Sequence, residues 1–300
     1  MGATSSGIRG PVALVGLGLM GGSLARALRA GQPELEILGV DPDSRAGARA
    51  LDEGVIDRFD AGGEGLLPDA ATVVYAGPLR AMFGVMEDHA PRIAPDALVT
   101  DLVSLNAPVL ERARALGLAD RFISAHPMCG SEASGYGASD GALYQGATIH
   151  LSADPETRES RGGEGVAFWS SVGGVPDWID AREHDRTMAW VSHLPQLVSN
   201  ALAGALHAAG IQPGQLGPGA RQMTRLAGSS PEMWKDLLDA SAPVTGTGLT
   251  SVARGLQVVA DLLARRDLDR IVEFMELTRE WRTGEAETGG VPGERREHAP

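Results

Sequence analysis

The sequence predicts an α/β domain built on a parallel sheet, followed by a domain made only of helices. Three observations predict it. Over residues 1–182, short apolar runs alternate with helical patterns, as in parallel strands whose two faces are covered by helices. A glycine-rich turn joins the first apolar run to the first helical one. Past Glu183 the strand signals cease, and apolar residues recur at helical spacing up to residue 283.

The first strand is Val12-Ala13-Leu14-Val15, apolar throughout and therefore buried on both faces. It runs into Gly16-Leu17-Gly18-Leu19-Met20-Gly21-Gly22 and then a helix over residues 23–30, with Leu24, Ala27 and Leu28 inward. Strand, turn and helix in this order make the G-x-G-x-x-G spacing a dinucleotide-binding signal. Gly16 permits the tight turn, Gly18 lets a pyrophosphate approach the backbone, and Gly21 lets the helix pack on the strand. The free N–H groups where the helix opens, at Leu19 and Met20, receive the phosphates. A second strand over residues 35–40 ends in Asp41, about 20 residues past the turn, where a carboxylate accepts from ribose hydroxyls and repels a 2′-phosphate. The expected cofactor is NAD, on a Rossmann-type domain.

Further strands are expected at residues 72–76, 98–101, 122–125, 147–151 and 175–179, closing the first domain near Arg182. Gly77 and Pro78 follow one of these strands, and Asp101-Leu102-Val103-Ser104 closes the next. Both lie at the strand edge where open parallel sheets bind ligands. His126 stands where the strand at 122–125 ends and opens the stretch His126-Pro127-Met128-Cys129-Gly130-Ser131-Glu132-Ala133-Ser134-Gly135. An imidazole, a carboxylate and several hydroxyls in so little bulk suit a reaction site. Taken alone, the stretch also suits a polar loop whose histidine caps a strand.

The helical domain opens with residues 187–206, which carry no charged side chain. The length would span a membrane, but Ser192, His193, Gln196, Ser199 and Asn200 make it too polar for that. A buried helix is expected, kinked by Pro195 near His193. His193, Gln196 and Asn200 share one face, and an uncharged polar stripe of that kind points to a buried polar site. A turn at Gly217-Pro218-Gly219 follows, then Thr224-Arg225 and a helix opening at Ser230-Pro231. Leu249, Val252, Leu256, Val259 and Leu263 form one apolar stripe, and Leu268, Ile271 and Met275 another, suited to packing within a subunit or across a dimer. Residues 284–300 are polar, Gly-rich and charged, the composition of a disordered tail.

The 300 residues suffice for two cores, and a net charge of −13 argues against nucleic acid or an anionic membrane as partner. Cys129 is the single cysteine, so no internal disulfide and no cysteine-held metal is expected, and its role is that of a small side chain in a tight loop. No basic segment precedes an apolar one near the start, so a cytoplasmic protein is expected.

Taken together these motifs resemble the prephenate and arogenate dehydrogenases of tyrosine biosynthesis. The resemblance rests on Gly16 to Ser23, Asp101 to Ser104, the ten residues from His126, His184-Asp185 with Ser192-His193-Leu194-Pro195, and Thr224-Arg225 with Ser230-Pro231-Glu232-Met233-Trp234. It implies a Rossmann-type dinucleotide-binding domain (1–182) and an all-helical substrate and dimerisation domain (183–283). The implied reaction is NAD-dependent oxidative decarboxylation of prephenate to 4-hydroxyphenylpyruvate, or of arogenate or an amino analogue. The resemblance further implies a homodimer with a small-molecule substrate. It makes His126 the base that takes the ring hydroxyl's proton and Ser104 a hydrogen-bonding partner near that hydroxyl. Arg225 becomes the fork on a substrate carboxylate, Glu132 its acidic partner at the mouth of the site, His193 a pocket histidine and Trp234 a pocket wall.

Two positions depart from the family pattern. Gln196 stands where many members have a second histidine and is expected to bind substrate in its place, and Asn106 stands where many have a lysine; either change bears on which side chain of the substrate is recognised. A β-hydroxyacid dehydrogenase shares the glycine turn but needs a lysine where its helical region begins. The only lysine here, Lys235, comes far later. A non-catalytic NAD-binding regulator would lack a base and a carboxylate anchor, and both are present.

Overall fold

The computed structural model describes residues 8–130, 133–229 and 231–284. The first half of the sheet is laid down by β1 (Val12–Val15), α1 (Leu19–Gly31), β2 (Ile37–Val40), α2 (Ser44–Asp52), β3 (Arg58–Asp60), β4 (Thr72–Tyr75) and α3 (Leu79–His89). The second half comprises β5 (Leu98–Asp101), α4 (Asn106–Ala115), β6 (Phe122–Pro127), β7 (Thr148–Ser152), α5 (Pro155–Ser171) and β8 (Val175–Trp178). Then come α6 (Ala181–Met188), α7 (Leu194–Ala208), α8 (Pro218–Thr224), α9 (Pro231–Arg265) and α10 (Leu268–Thr283).

Eight strands form one sheet in the order β3-β2-β1-β4-β5-β6-β7-β8. The order reverses between β1 and β4, which opens a crevice at their C-terminal ends. All four residues of β1, β2, β4 and β5 are buried, as continuous apolar runs between two helical layers require. On one face Leu14, Leu24, Leu28, Phe168 and Trp169 share a core, and on the other Leu38, Val73, Met86, Val99 and Leu110 share a second. Fully burying one such leucine is worth about 1.5–3 kcal/mol.

The sheet departs from the expected parallel arrangement at one place. β6 and β7 run antiparallel, with His126 paired to His150. Among its described residues, their connection holds a short 3₁₀ turn at Tyr136–Ala138 and no crossover helix, so the chain returns beside β6 in the opposite sense. β3 is an edge strand the sequence pattern did not announce, since only three residues of mixed character form it.

Helix formation after residue 180 is also finer-grained than expected. Asp180 caps α6, its side chain accepting from the N–H groups of Arg182 and Glu183 at 3.0 Å each. The uncharged stretch is interrupted by a π-turn at Ala189–His193, where the Leu194 N–H donates to Ala189 O. Pro195, in the first turn of α7, has no N–H for a carbonyl of the preceding turn, and the widened turn takes up the mismatch.

The chain divides into two compact units, Met1–Thr245 and Gly246–Pro300. The expected boundary at 182/183 marks where strands give way to helices, whereas the compact division falls inside α9. The reason is that α6 ties to α4 through Asp185, and Leu237 of α9 packs on the sheet core. The second unit, taken by itself, leaves Leu256, Leu263, Leu268, Val272, Met275 and Trp281 exposed, the last at 74%. No described helix is long and apolar enough to cross a membrane. Of the expected tail, residues 285–300 lie outside the described residues.

Candidate active site

The glycine turn has the geometry its spacing predicts. Gly16 has φ +108°, and a Cβ there would stand 2.7 Å from Ala76 O, so both conformation and space demand glycine. A Cβ on Gly21 would lie 1.9 Å from Gly16 O. Gly22 is constrained more mildly, because a Cβ would meet the side chains of Tyr136 at 2.9 Å and Ser139 at 3.0 Å. Here the loop after β6 lies on α1, held also by Arg26 Nε donating to Ser139 Oγ at 2.7 Å and Tyr144 OH donating to Met20 O at 2.8 Å. By contrast a Cβ on Gly18 would meet nothing within 4 Å, and no side chain caps α1. Open space in front of uncapped N–H groups suits a pyrophosphate.

Asp41 is held at the end of β2, its Oδ2 accepting from Leu17 N at 2.6 Å and its Oδ1 from Asp43 N at 2.7 Å. A carboxylate has further lone pairs, so it can still accept from ribose hydroxyls. Gly16, Gly18, Asp41, Gly77 and Pro78 line one cavity of about 570 Å³. Tyr75, Gly62 and His89 extend its wall, and nothing in their spacing announced them. Leu19 and Met20 are half-buried at the start of α1, and Gly21 is buried behind the turn. A dinucleotide therefore fits the residues present.

The second part of the site is a cluster of imidazoles. His126 Nδ1 lies 2.9 Å from His184 Nε2, and His184 Nδ1 lies 2.8 Å from Asp185 Oδ1. Asp185 in turn accepts from the N–H groups of Asn106 at 2.8 Å and Ala107 at 3.0 Å, at the start of α4. His150, opposite His126 across the strands, has its ring 5.4 Å from that of His184. His193, on the π-turn, hydrogen-bonds Ser241 Oγ at 2.8 Å and meets the Trp234 ring edge-on at 5.8 Å. Burial, and then His184, His150 and His193, hold the His126 imidazole down at about 3, so it is neutral near pH 7 and able to accept a proton. Burial pushes the Cys129 thiol up to about 11, which leaves it protonated and inert. Among the described residues no cluster of His, Cys, Asp or Glu could hold a metal ion.

Ser104 is half-buried between β5 and α4. Asn106 is fully buried, its side chain donating to Ser152 Oγ at 2.9 Å and accepting from Ser124 Oγ at 3.3 Å, while its backbone N–H is the group that meets Asp185. Asp101 beside it is also buried, and that burial, opposed by the Val103 N–H and the Ser124 hydroxyl, raises its carboxyl to about 7.

Arg225 is exposed at the start of the 3₁₀ turn Arg225–Gly228. Gln196 is buried and donates to Leu226 O at 2.7 Å, while Ser199 Oγ accepts from Ala227 N at 3.2 Å. The residue expected to touch substrate is thus committed to the turn that carries Arg225. Asn200 is exposed, so the buried part of the polar stripe ends one turn before it. Glu132 lies outside the described residues. His184 and Asp185 were legible only as part of a resemblance, because adjacent residues on a helix give no spacing signal.

A dinucleotide crevice and a half-buried neutral imidazole, both at the strand edge of one sheet, are the parts a dehydrogenase needs. Residues 24–175 match the family model described as prephenate dehydrogenase, nucleotide-binding domain, and residues 180–277 match prephenate dehydrogenase, dimerization domain. The chain belongs to the prephenate dehydrogenase family. It is 28% identical over 288 residues to a prephenate dehydrogenase of Bacillus subtilis, covering 91% of this chain and 75% of the relative. A cyclohexadienyl dehydrogenase of Zymomonas mobilis is 27% identical over 274 residues, covering 88% and 92%. A crystal structure of prephenate dehydrogenase from A. aeolicus, in complex with hydroxyphenyl propionate and NAD+, superposes with a TM-score of 0.82 at 27% identity, covering 92% of this chain and 98% of that one.

Proposed function

We propose that the chain oxidatively decarboxylates prephenate to 4-hydroxyphenylpyruvate with NAD, as a step of tyrosine biosynthesis in the cytoplasm. The reading assigns residues 1–182 to the cofactor and 183–283 to substrate and to homodimerisation. One observation carries it: His126, half-buried and neutral, stands at the strand edge with one ring nitrogen engaged by His184.

NAD, when bound, supplies the hydride acceptor. The N–H groups at Leu19 and Met20 hold its phosphates in front of Gly18, with Gly16 and Gly21 shaping the turn. Asp41 takes a ribose, and Gly77 and Pro78 wall the crevice. Ser104 hydrogen-bonds the substrate's ring hydroxyl, and His126 receives its proton as the carbinol carbon gives up a hydride. The ketone so formed withdraws electrons, the pair of the carbon–carboxylate bond enters the ring, and carbon dioxide leaves as the ring becomes aromatic. Arg225 forks a substrate carboxylate with Glu132 nearby, and His193 and Trp234 wall the pocket. Gln196 contributes to substrate binding by fixing the Arg225 turn. Support for the homodimer comes from the exposed apolar residues of the second unit.

The assay is NADH formation with prephenate and with arogenate, supplied separately. Prephenate is expected to be the better substrate by kcat/KM. A preference for arogenate moves the assignment to the amino compound, and turnover of neither overturns the reading.

A further inference from the structure

The hydrogens along the chain Asp185–His184–His126 are dictated from one end. Asp185 accepts from two backbone N–H groups and approaches His184 Nδ1 at 2.8 Å. A carboxylate has no hydrogen to give, so His184 Nδ1 must carry one. A neutral imidazole protonated at Nδ1 has a bare Nε2, and that atom faces His126 Nδ1 at 2.9 Å. His126 must then donate from Nδ1, which leaves its own Nε2 bare. With His184 neutral, the opposite tautomer would set two lone pairs face to face at 2.9 Å, or oblige His184 to give up its bond to Asp185; only a doubly protonated His184 would reverse the order.

We propose that His184 and Asp185 are positioning residues for proton transfer, fixing His126 as the Nδ1–H tautomer with its Nε2 open to the substrate hydroxyl. This rests on the reading of His126 as the proton acceptor. When the substrate O–H bond breaks, the new N–H bond forms at His126 Nε2, and the positive charge spreads over a ring already hydrogen-bonded to His184. Groups around that charge come from several elements: His184 and Asp185 from α6, His150 from β7 and His193 from the π-turn. Three of them are imidazoles, which repel a charged His126 whenever they are protonated. Asp185 is the counter-charge that the hydrogen-bonded chain reaches. Its own place is secured by the start of α4, and His184 is fully buried, so the ring has no freedom to turn away.

Two measurements test this. In protein labelled with ¹⁵N-histidine, the ring nitrogens of His126, assigned by their loss in His126→Asn, are expected to show Nδ1 protonated and Nε2 bare at neutral pH. The Nε2–H tautomer overturns the proposal, and this readout needs neither turnover nor a stable variant of the dyad. For kinetics, Asp185→Asn is expected to lower kcat about a hundredfold, with NAD affinity within about twofold. It should also move the acid limb of the kcat/KM profile to lower pH, because a carboxylate that favours the imidazolium has gone. His184→Gln, whose amide oxygen still accepts from His126, should keep more activity than His184→Leu. An unmoved acid limb, or equal loss in the two His184 variants, reduces the pair to a structural role and overturns the proposal. If neither prephenate nor arogenate is turned over, the functional reading fails while the tautomer measurement still decides this one.

Discussion

Replacing Gln196 with leucine isolates what holds the carboxylate-binding turn. Leucine keeps the volume but has nothing to offer Leu226 O, which now receives the Gln196 amide at 2.7 Å, and it also loses the 3.2 Å bond to Asn200 Oδ1. A half-buried carbonyl stripped of its donor costs about 1–3 kcal/mol. The Ser199 bond to Ala227 N survives, so the turn stays attached at its second point and the lower part of that range applies. At about 1.4 kcal/mol per factor of ten, the KM for the carboxylate substrate should rise about five- to tenfold. The KM for NAD should stay within about twofold, since the glycine turn and Asp41 are untouched, and kcat should stay within about threefold. Initial rates of NADH formation across substrate and cofactor concentrations give all three constants. An unchanged substrate KM alongside a lowered Tm would show that Gln196 serves packing alone and would refute the pin.

Other expectations follow from single contacts. Asp41→Ser should erode the preference for NAD over NADP in kcat/KM, and a preserved ratio would discount the ribose contact. Gly16→Ala must hold φ near +108° against Ala76 O, so thermal unfolding should show a loss of about 1–3 kcal/mol and NAD binding should weaken with it. Stability should depend on pH through two perturbed groups of opposite sign. His126, held at about 3, takes up a proton on unfolding, so stability falls as pH drops from about 6.5 toward 3. Asp101, raised from 3.8 to about 7, releases a proton on unfolding, so stability falls as pH rises across that window. Asp101→Asn should abolish the second slope in Tm measured from pH 5 to 8, and an unchanged slope would show that the carboxyl is already ionised in the fold.

The first domain was readable because its signals are local. An apolar run, glycines at fixed spacing and an acidic residue at the next strand's end each act within a few residues of themselves, and Gly16, Gly18 and Asp41 line one crevice. Features that depend on distant partners were hidden. The antiparallel pairing of β7 goes with the lack of a crossover helix among the described residues between 128 and 147, which no periodicity reports. The π-turn at Ala189–His193, just before Pro195, is a feature that apolar spacing does not report. Gln196 looked like a recognition residue because it shares a face with His193, yet its amide is spent on Leu226 O. Asn106 is buried with its side-chain amide satisfied by Ser152 and Ser124, partners far along the chain that no local pattern shows.

The central claim, that the imidazole at position 126 takes the proton from the substrate, is tested most directly by His126→Asn, with turnover and NAD binding measured on the same preparation. The account predicts a fall in NADH formation of about a hundredfold or more, with NAD affinity nearly unchanged. Turnover within about threefold of the parent protein would contradict it.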